Sequence, residues 1–115
     1  MSESKLESKF LKLWQELAPD LELKREQQLI SKRRFRFDFY QPDSLVAIEI
    51  QGGTWRKGAH STGAGIQRDC EKANLVQFAG YDIFCYTGRM ITKENVHELI
   101  EYCRAKAANN QTDVY

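Results

Sequence analysis

Residues 33–51, RRFRFDFYQPDSLVAIEIQ, constrain the fold more than any other part of the chain. Phe35, Phe37 and Phe39 alternate with Arg34, Arg36, Asp38 and Tyr40, the period of a strand with one buried face. Gln41, Pro42, Asp43 and Ser44 have turn chemistry, and residues 45–50 form an apolar, β-branched run that leads into Gln51, Gly52 and Gly53. A loop at 41–44 sets Tyr40 opposite Leu45 and Asp38 opposite Ala47. Asp38, Ala47, Glu49 and Gln51 then share one face, with Asp38 and Glu49 as diagonal neighbours. Two carboxylates that converge at the end of an apolar hairpin are costly unless positive charge sits between them, and a divalent cation is the simplest source of it.

A chain of 115 residues predicts one domain with one core, over 1–108, followed by a polar tail at 109–115. Hydrophobic content of 42% and charged content of 29% fit an ordinary globular protein rather than a disordered one. A net charge of +1 neither requires nor excludes nucleic acid, so the distribution of charge must decide. The first ten residues hold no apolar signal core, and no apolar run reaches membrane length. Three cysteines, widely spaced and odd in number, predict a reducing, cytoplasmic setting without a disulfide framework.

Residues 2–18 read as a helix with Leu6, Phe10, Leu13, Trp14 and Leu17 at helical spacing, capped by Ser2 or Ser4 and stopped at Pro19-Asp20. Glu7 lies at the edge of its apolar stripe. Residues 21–26 suit a short edge strand, and Lys32, Arg33, Arg34 and Arg36 carry a basic stripe into the hairpin. Residues 51–65 hold five of the seven glycines together with Trp55, Arg56, Lys57 and His60, a long basic loop able to bring N–H groups and positive charge to a phosphate. Residues 66–79 read as a helix ended by Gly80, on which Asp69 and Lys72 are spaced to pair. Residues 81–86 form a further strand, and a last helix starts at Thr92 and runs to about Ala107. The order predicts a mixed α/β fold with helices on both sides of a small sheet.

Asp38, ten residues, then Glu49-Ile50-Gln51, on a hairpin after a glutamate-bearing helix, resembles the PD-(D/E)XK nuclease superfamily. With GG-W, His60 and Asp69-x-x-Lys72 following, the chain is similar to small phage- and bacteria-encoded members allied to Vsr-like, VRR-NUC-like and Holliday-junction-resolvase-like endonucleases. The resemblance spans roughly residues 5–100 and implies a restriction-endonuclease-like core, a small mixed sheet flanked by helices. It implies a metal-dependent endonuclease that hydrolyses DNA phosphodiesters. Asp38, Glu49 and the Ile50 carbonyl match ligands for Mg²⁺ or Mn²⁺, Glu7 matches an acidic contact from the first helix, and His60 matches a loop histidine. The motif lysine position holds Gln51, a departure, and Lys72 on the following helix is the matching substitute.

Arg33, Arg34, Arg36, Arg56, Lys57 and Arg68, with Lys24, Arg25 and Lys32, would hold the DNA backbone in this reading. Cutting two strands would need two sites, hence a homodimer. The alternative is a catalytically inactive nuclease-like fold that binds nucleic acid. A binding surface for phosphates gains nothing from the Asp38–Glu49 pair, and that pair separates the two. A third reading, a structural protein in which Asp38 pairs with Arg34 or Arg36, does not account for Glu49 facing the same side.

Overall fold

The computed structural model describes residues 4–30, 35–52 and 63–112. Three helices and four strands follow in the order α1 (Lys5–Leu17), β1 (Lys24–Gln27), β2 (Phe37–Gln41), β3 (Val46–Gln51), α2 (Gly63–Phe78), β4 (Asp82–Thr87) and α3 (Lys93–Thr112). The sheet order is β1-β2-β3-β4, antiparallel except for the parallel pair β3–β4 that α2 connects. The fold is therefore a mixed α/β core, as its sequence predicts.

Ser4 caps α1, its hydroxyl accepting the Glu7 N–H at 3.1 Å. Phe10 and Trp14, one turn apart, face the sheet with Phe39, Ile48, Ile50 and Tyr86, and α3 adds Val96, Leu99, Ile100 and Cys103 to the same core. The Trp14 indole N–H donates to the Leu21 carbonyl at 3.0 Å and ties the chain after α1 back onto the helix. The other face of the sheet is smaller: Ala47 and Phe37 pack against Val76 of α2, with Phe35, Tyr81 and Ile83 around them. α3 passes the predicted end near Ala107 and continues to Thr112, because Ala105, Lys106, Ala107 and Ala108 are strong helix formers with no glycine or proline after them. Among the described residues, no helix is long and apolar enough to cross a membrane.

Two expectations for the hairpin are corrected. Tyr40 pairs with Ala47, and Gln41 with Val46, so the turn is Pro42 to Leu45 rather than 41–44. Gln41 belongs to the strand and is fully buried; its side-chain carbonyl accepts the Ser44 N–H at 2.9 Å and the Ser44 hydroxyl at 2.6 Å, bracing the turn from inside. The turn closes with Leu45 at φ 59°, a conformation the sequence does not advertise because leucine rarely adopts it.

The second correction concerns the three phenylalanines. Phe39 feeds the core under α1 and α3, but Phe37 and Phe35 feed the core under α2. The alternation therefore breaks at Asp38. The pairs Arg25↔Phe39 and Gln27↔Phe37 bracket that position on the neighbouring strand, and Glu26 between them has φ 53°. Both strands distort together, and Asp38 stands where the sheet changes phase.

Candidate active site

The distortion at Asp38 has a hydrogen-bonding consequence. The recorded β2–β3 pairs end at Phe39↔Ile48, and the Ile50 N–H beyond them donates to the Asp38 carboxylate (Oδ2) at 2.7 Å. Asp38 thus replaces a backbone acceptor, and β2 diverges from β3 where the carboxylates collect. Glu49 stands on β3 one residue before Ile50, and Gln51 one after it.

Lys72 reaches the pair from α2. It precedes the buried Val76 by four residues, so both lie on the helix face turned to the sheet. Its Nζ donates to Glu49 Oε2 at 3.0 Å and to the Arg36 carbonyl at 3.2 Å, and lies 4.5 Å from the centre of the Phe37 ring. The two side chains are only 21% and 17% exposed. The sequence offered Asp69 as the partner of Lys72; the structure gives it Glu49 instead. Phe37 explains why: by joining the α2 core it supplies an aromatic floor that holds the ammonium beside β3.

Glu7 approaches from α1. Arg25 of β1 donates to Glu7 Oε1 at 3.1 Å while its guanidinium lies 5.3 Å over the Phe39 ring. That contact commits Arg25 to the site rather than to the outer basic surface where the sequence put it. Burial, then the charge of Asp38, raises the Glu7 pKa. Asp38 is raised chiefly by burial, against the opposing effects of the Ile50 N–H and Lys72. Glu49 is raised chiefly by burial as well, with Asp38 and Asp69 adding to it and Lys72 opposing. All three carboxyl groups hold their protons more tightly than usual, chiefly because burial disfavours the charged form, although two cationic side chains are present.

Glu49, Gln51, Asp69, Lys72, Ala73, Ile83 and Cys85 line a cleft between β3, β4 and α2. The register Glu49↔Cys85 brings Cys85 beside the acidic strand, where a hydrogen bond links it to Gln51. Asp69 and Cys85 were not picked out as site residues from sequence; the parallel β3–β4 register and the phase of α2 that bring them here are not local signals. Arg36 and Arg68 are exposed at the periphery. Arg33, Arg34, Arg56, Lys57 and His60 lie outside the described residues.

Among the described residues, no group of three or more His, Cys, Asp or Glu side chains can hold a metal ion unaided. Asp38 and Glu49 supply hard carboxylate oxygens, and the Ile50 carbonyl, which accepts the Gly52 N–H at 3.1 Å, retains a second lone pair. That fits Mg²⁺, which is held through one or two carboxylates plus water and phosphate oxygens rather than by an all-protein cage.

No protein-family model and no curated protein matches the chain. Among solved structures, the chain is similar to a homing endonuclease catalytic domain, that of I-Bth0305I, with a TM-score of 0.66 at 16% identity, over 91% of this chain and 98% of that one. At this identity the likeness establishes a shared fold.

Proposed function

We propose that this chain is a metal-dependent endonuclease that hydrolyses DNA phosphodiester bonds. The observation that carries the proposal is Lys72: a lysine delivered from α2 to within 3.0 Å of Glu49, next to Asp38. The fold shared with a homing endonuclease catalytic domain supports the same reading. A structural ion pair would not need Asp38 and Glu7 crowding it with further negative charge.

Asp38 and Glu49 would hold Mg²⁺, or Mn²⁺ in its place, with the Ile50 carbonyl. A bound divalent ion supplies an activated water and charge stabilisation at the phosphate. Lys72, held beside Glu49 and Asp38, would face the phosphoryl oxygens as charge builds on them. Gln51, on the same strand, orients water through its amide but brings no positive charge. Glu7 adds negative potential and keeps Arg25 in place. Arg36 and Arg68, with Arg33, Arg34, Arg56 and Lys57, supply phosphate contacts; His60 assists at the leaving group. Cleavage of both strands would use two such sites in a homodimer.

Gln51 in the motif lysine position favours a second reading, a nuclease-like fold that binds nucleic acid without cutting it. A labelled panel of single strand, duplex, flap and four-way junction, with Mg²⁺, Mn²⁺ or chelator, separates them. Metal-dependent cuts support the first reading; binding without cuts in either metal supports the second.

A further inference from the structure

We propose that the 3-10 turn after β4, Gly88-Arg89-Met90, is a further DNA contact, in which Arg89 takes a backbone phosphate beside the cleft and Met90 packs on the adjoining deoxyribose. This rests on the reading of the cleft as a site that acts on DNA. The turn stands at the same end of the sheet as the cleft. β3 and β4 run parallel and Thr87 pairs with Gln51, so the chain leaves β4 where Glu49 and Gln51 collect. Leu6, the residue before Glu7, ties the turn to the site. A Cβ added at Gly88 would lie 3.3 Å from its Cδ2, and one at Gly52 would lie 3.5 Å from its Cδ1, so α1 packs directly over both strand ends.

The turn is anchored on both sides of two exposed side chains. Ile91 is fully buried in the core, and its N–H donates to the Gly88 carbonyl at 3.3 Å. The Met90 carbonyl accepts the Thr92 N–H at 3.0 Å and the Asn95 side-chain amide at 2.8 Å. Arg89 is exposed, and Met90 is 41% exposed. Among the described residues, no carboxylate pairs with Arg89. A cation and an apolar side chain held side by side on a fixed turn suit a ligand in which anionic and apolar groups alternate, as phosphate and sugar do along a nucleic-acid strand.

The charge around the cleft is laid out to match. β2 runs antiparallel to β3, so exposed Arg36, just before β2, stands at this end of the sheet too, and exposed Arg68 lies one turn before Lys72 on α2. Arg36 and Arg89 thus flank the cleft from the β2 and β4 sides, with Glu49 on β3 between them. Two strand spacings span about 10 Å, and one DNA strand carries a phosphate about every 3.4 Å along its axis. The two arginines can therefore hold phosphates of one strand about three nucleotides apart, with the bond to be cut lying between them over Asp38 and Glu49.

The test is binding of a labelled duplex by fluorescence anisotropy, in chelator and across a salt series, for the full chain and its Arg89→Gln, Arg89→Lys, Met90→Ala and Lys106→Gln variants. Lys106 pairs with Asp82 at the start of β4, so its variant loses the same charge at the far end of the strand. Losing one phosphate contact lowers the slope of log Kd against log salt by about 0.9, equivalent to about eightfold in affinity at ~0.1 M salt. Arg89→Gln should show both changes, and Arg89→Lys should keep most of the wild-type affinity. Met90→Ala should bind about fourfold more weakly, the scale of one buried methylene, with the slope unchanged. Lys106→Gln should match the wild type. Wild-type affinity and slope in Arg89→Gln overturn the proposal, as do an Arg89→Lys protein as weak as Arg89→Gln, a Met90→Ala protein with wild-type affinity, or a Lys106→Gln protein that loses as much as Arg89→Gln. The cleavage reading survives each of these where the wild type cuts in Mg²⁺. A wild type that binds no duplex overturns both.

Discussion

Lys72→Met removes the ammonium from the Glu49 carboxylate and the Arg36 carbonyl while keeping a flexible apolar stem over Phe37. Exposed ion pairs contribute about 0–1 kcal/mol, and breaking a fully buried pair costs about 3–5 kcal/mol. At 21% and 17% exposure this pair lies between those limits, so a loss of about 1–3 kcal/mol is expected. That loss should depend on pH in a definite direction. Burial already lifts the Glu49 pKa above its ordinary 4.5, and Lys72 is what opposes the lift. Without Lys72 the folded-state pKa rises further above the unfolded one. A carboxyl with a raised folded-state pKa binds more protons folded than unfolded, so acidification through that pKa favours the native state. The deficit of Lys72→Met relative to wild type should be largest near about pH 8 and should shrink toward about pH 5. Urea unfolding of both proteins across that range measures it. An equal deficit at both ends would mean that the loss comes from packing over Phe37 and would refute the electrostatic account.

Asp38→Asn retains an acceptor for the Ile50 N–H and should unfold close to wild type, whereas Asp38→Ala leaves that donor unpaired and should cost about 1–3 kcal/mol by urea unfolding; both should abolish cleavage. Added Mn²⁺ should raise the melting temperature of the wild type by preferential binding to the folded state, chelator should reverse the rise, and Glu49→Gln should remove most of it. Gly80 has φ +96° and open space around an added Cβ, so Gly80→Ala should lose about 1–2 kcal/mol through backbone strain alone and leave cleavage unchanged.

Much of the fold can be read from local signals. The spacing of Phe10 and Trp14 in α1, the caps at Ser4 and Thr92 and the glycine after α2 each record a backbone requirement in one or two side chains. The hairpin register is less legible because it depends on Gln41 turning its amide inward and on Leu45 taking a left-handed conformation. Neither choice is favoured by the residue type alone. The site is divided in the same way. Asp38 and Glu49 were visible as converging carboxylates because the pairing differs from the expected one by an even number of residues, which leaves the faces unchanged, whereas Glu7 reads as a solvated charge on its own helix and stands out only through the resemblance to the nuclease superfamily. The placement of Phe37 was not visible: strict alternation puts it with Phe39, and only the break at Asp38 moves it under Lys72. The partners of Lys72 and Arg25 follow from that break and from the packing of α1 and α2, which no short window of sequence contains.

Single-turnover cleavage of a labelled duplex in Mg²⁺ by the wild type, Glu49→Gln and Lys72→Met tests the central claim most directly. The account predicts cutting by the wild type, none by Glu49→Gln, and a rate about 10²–10³ lower for Lys72→Met at saturating protein, the scale for loss of a group that faces developing charge. A Lys72→Met enzyme that cuts at the wild-type rate, or a wild type that binds duplex and leaves it intact in both Mg²⁺ and Mn²⁺, would contradict it.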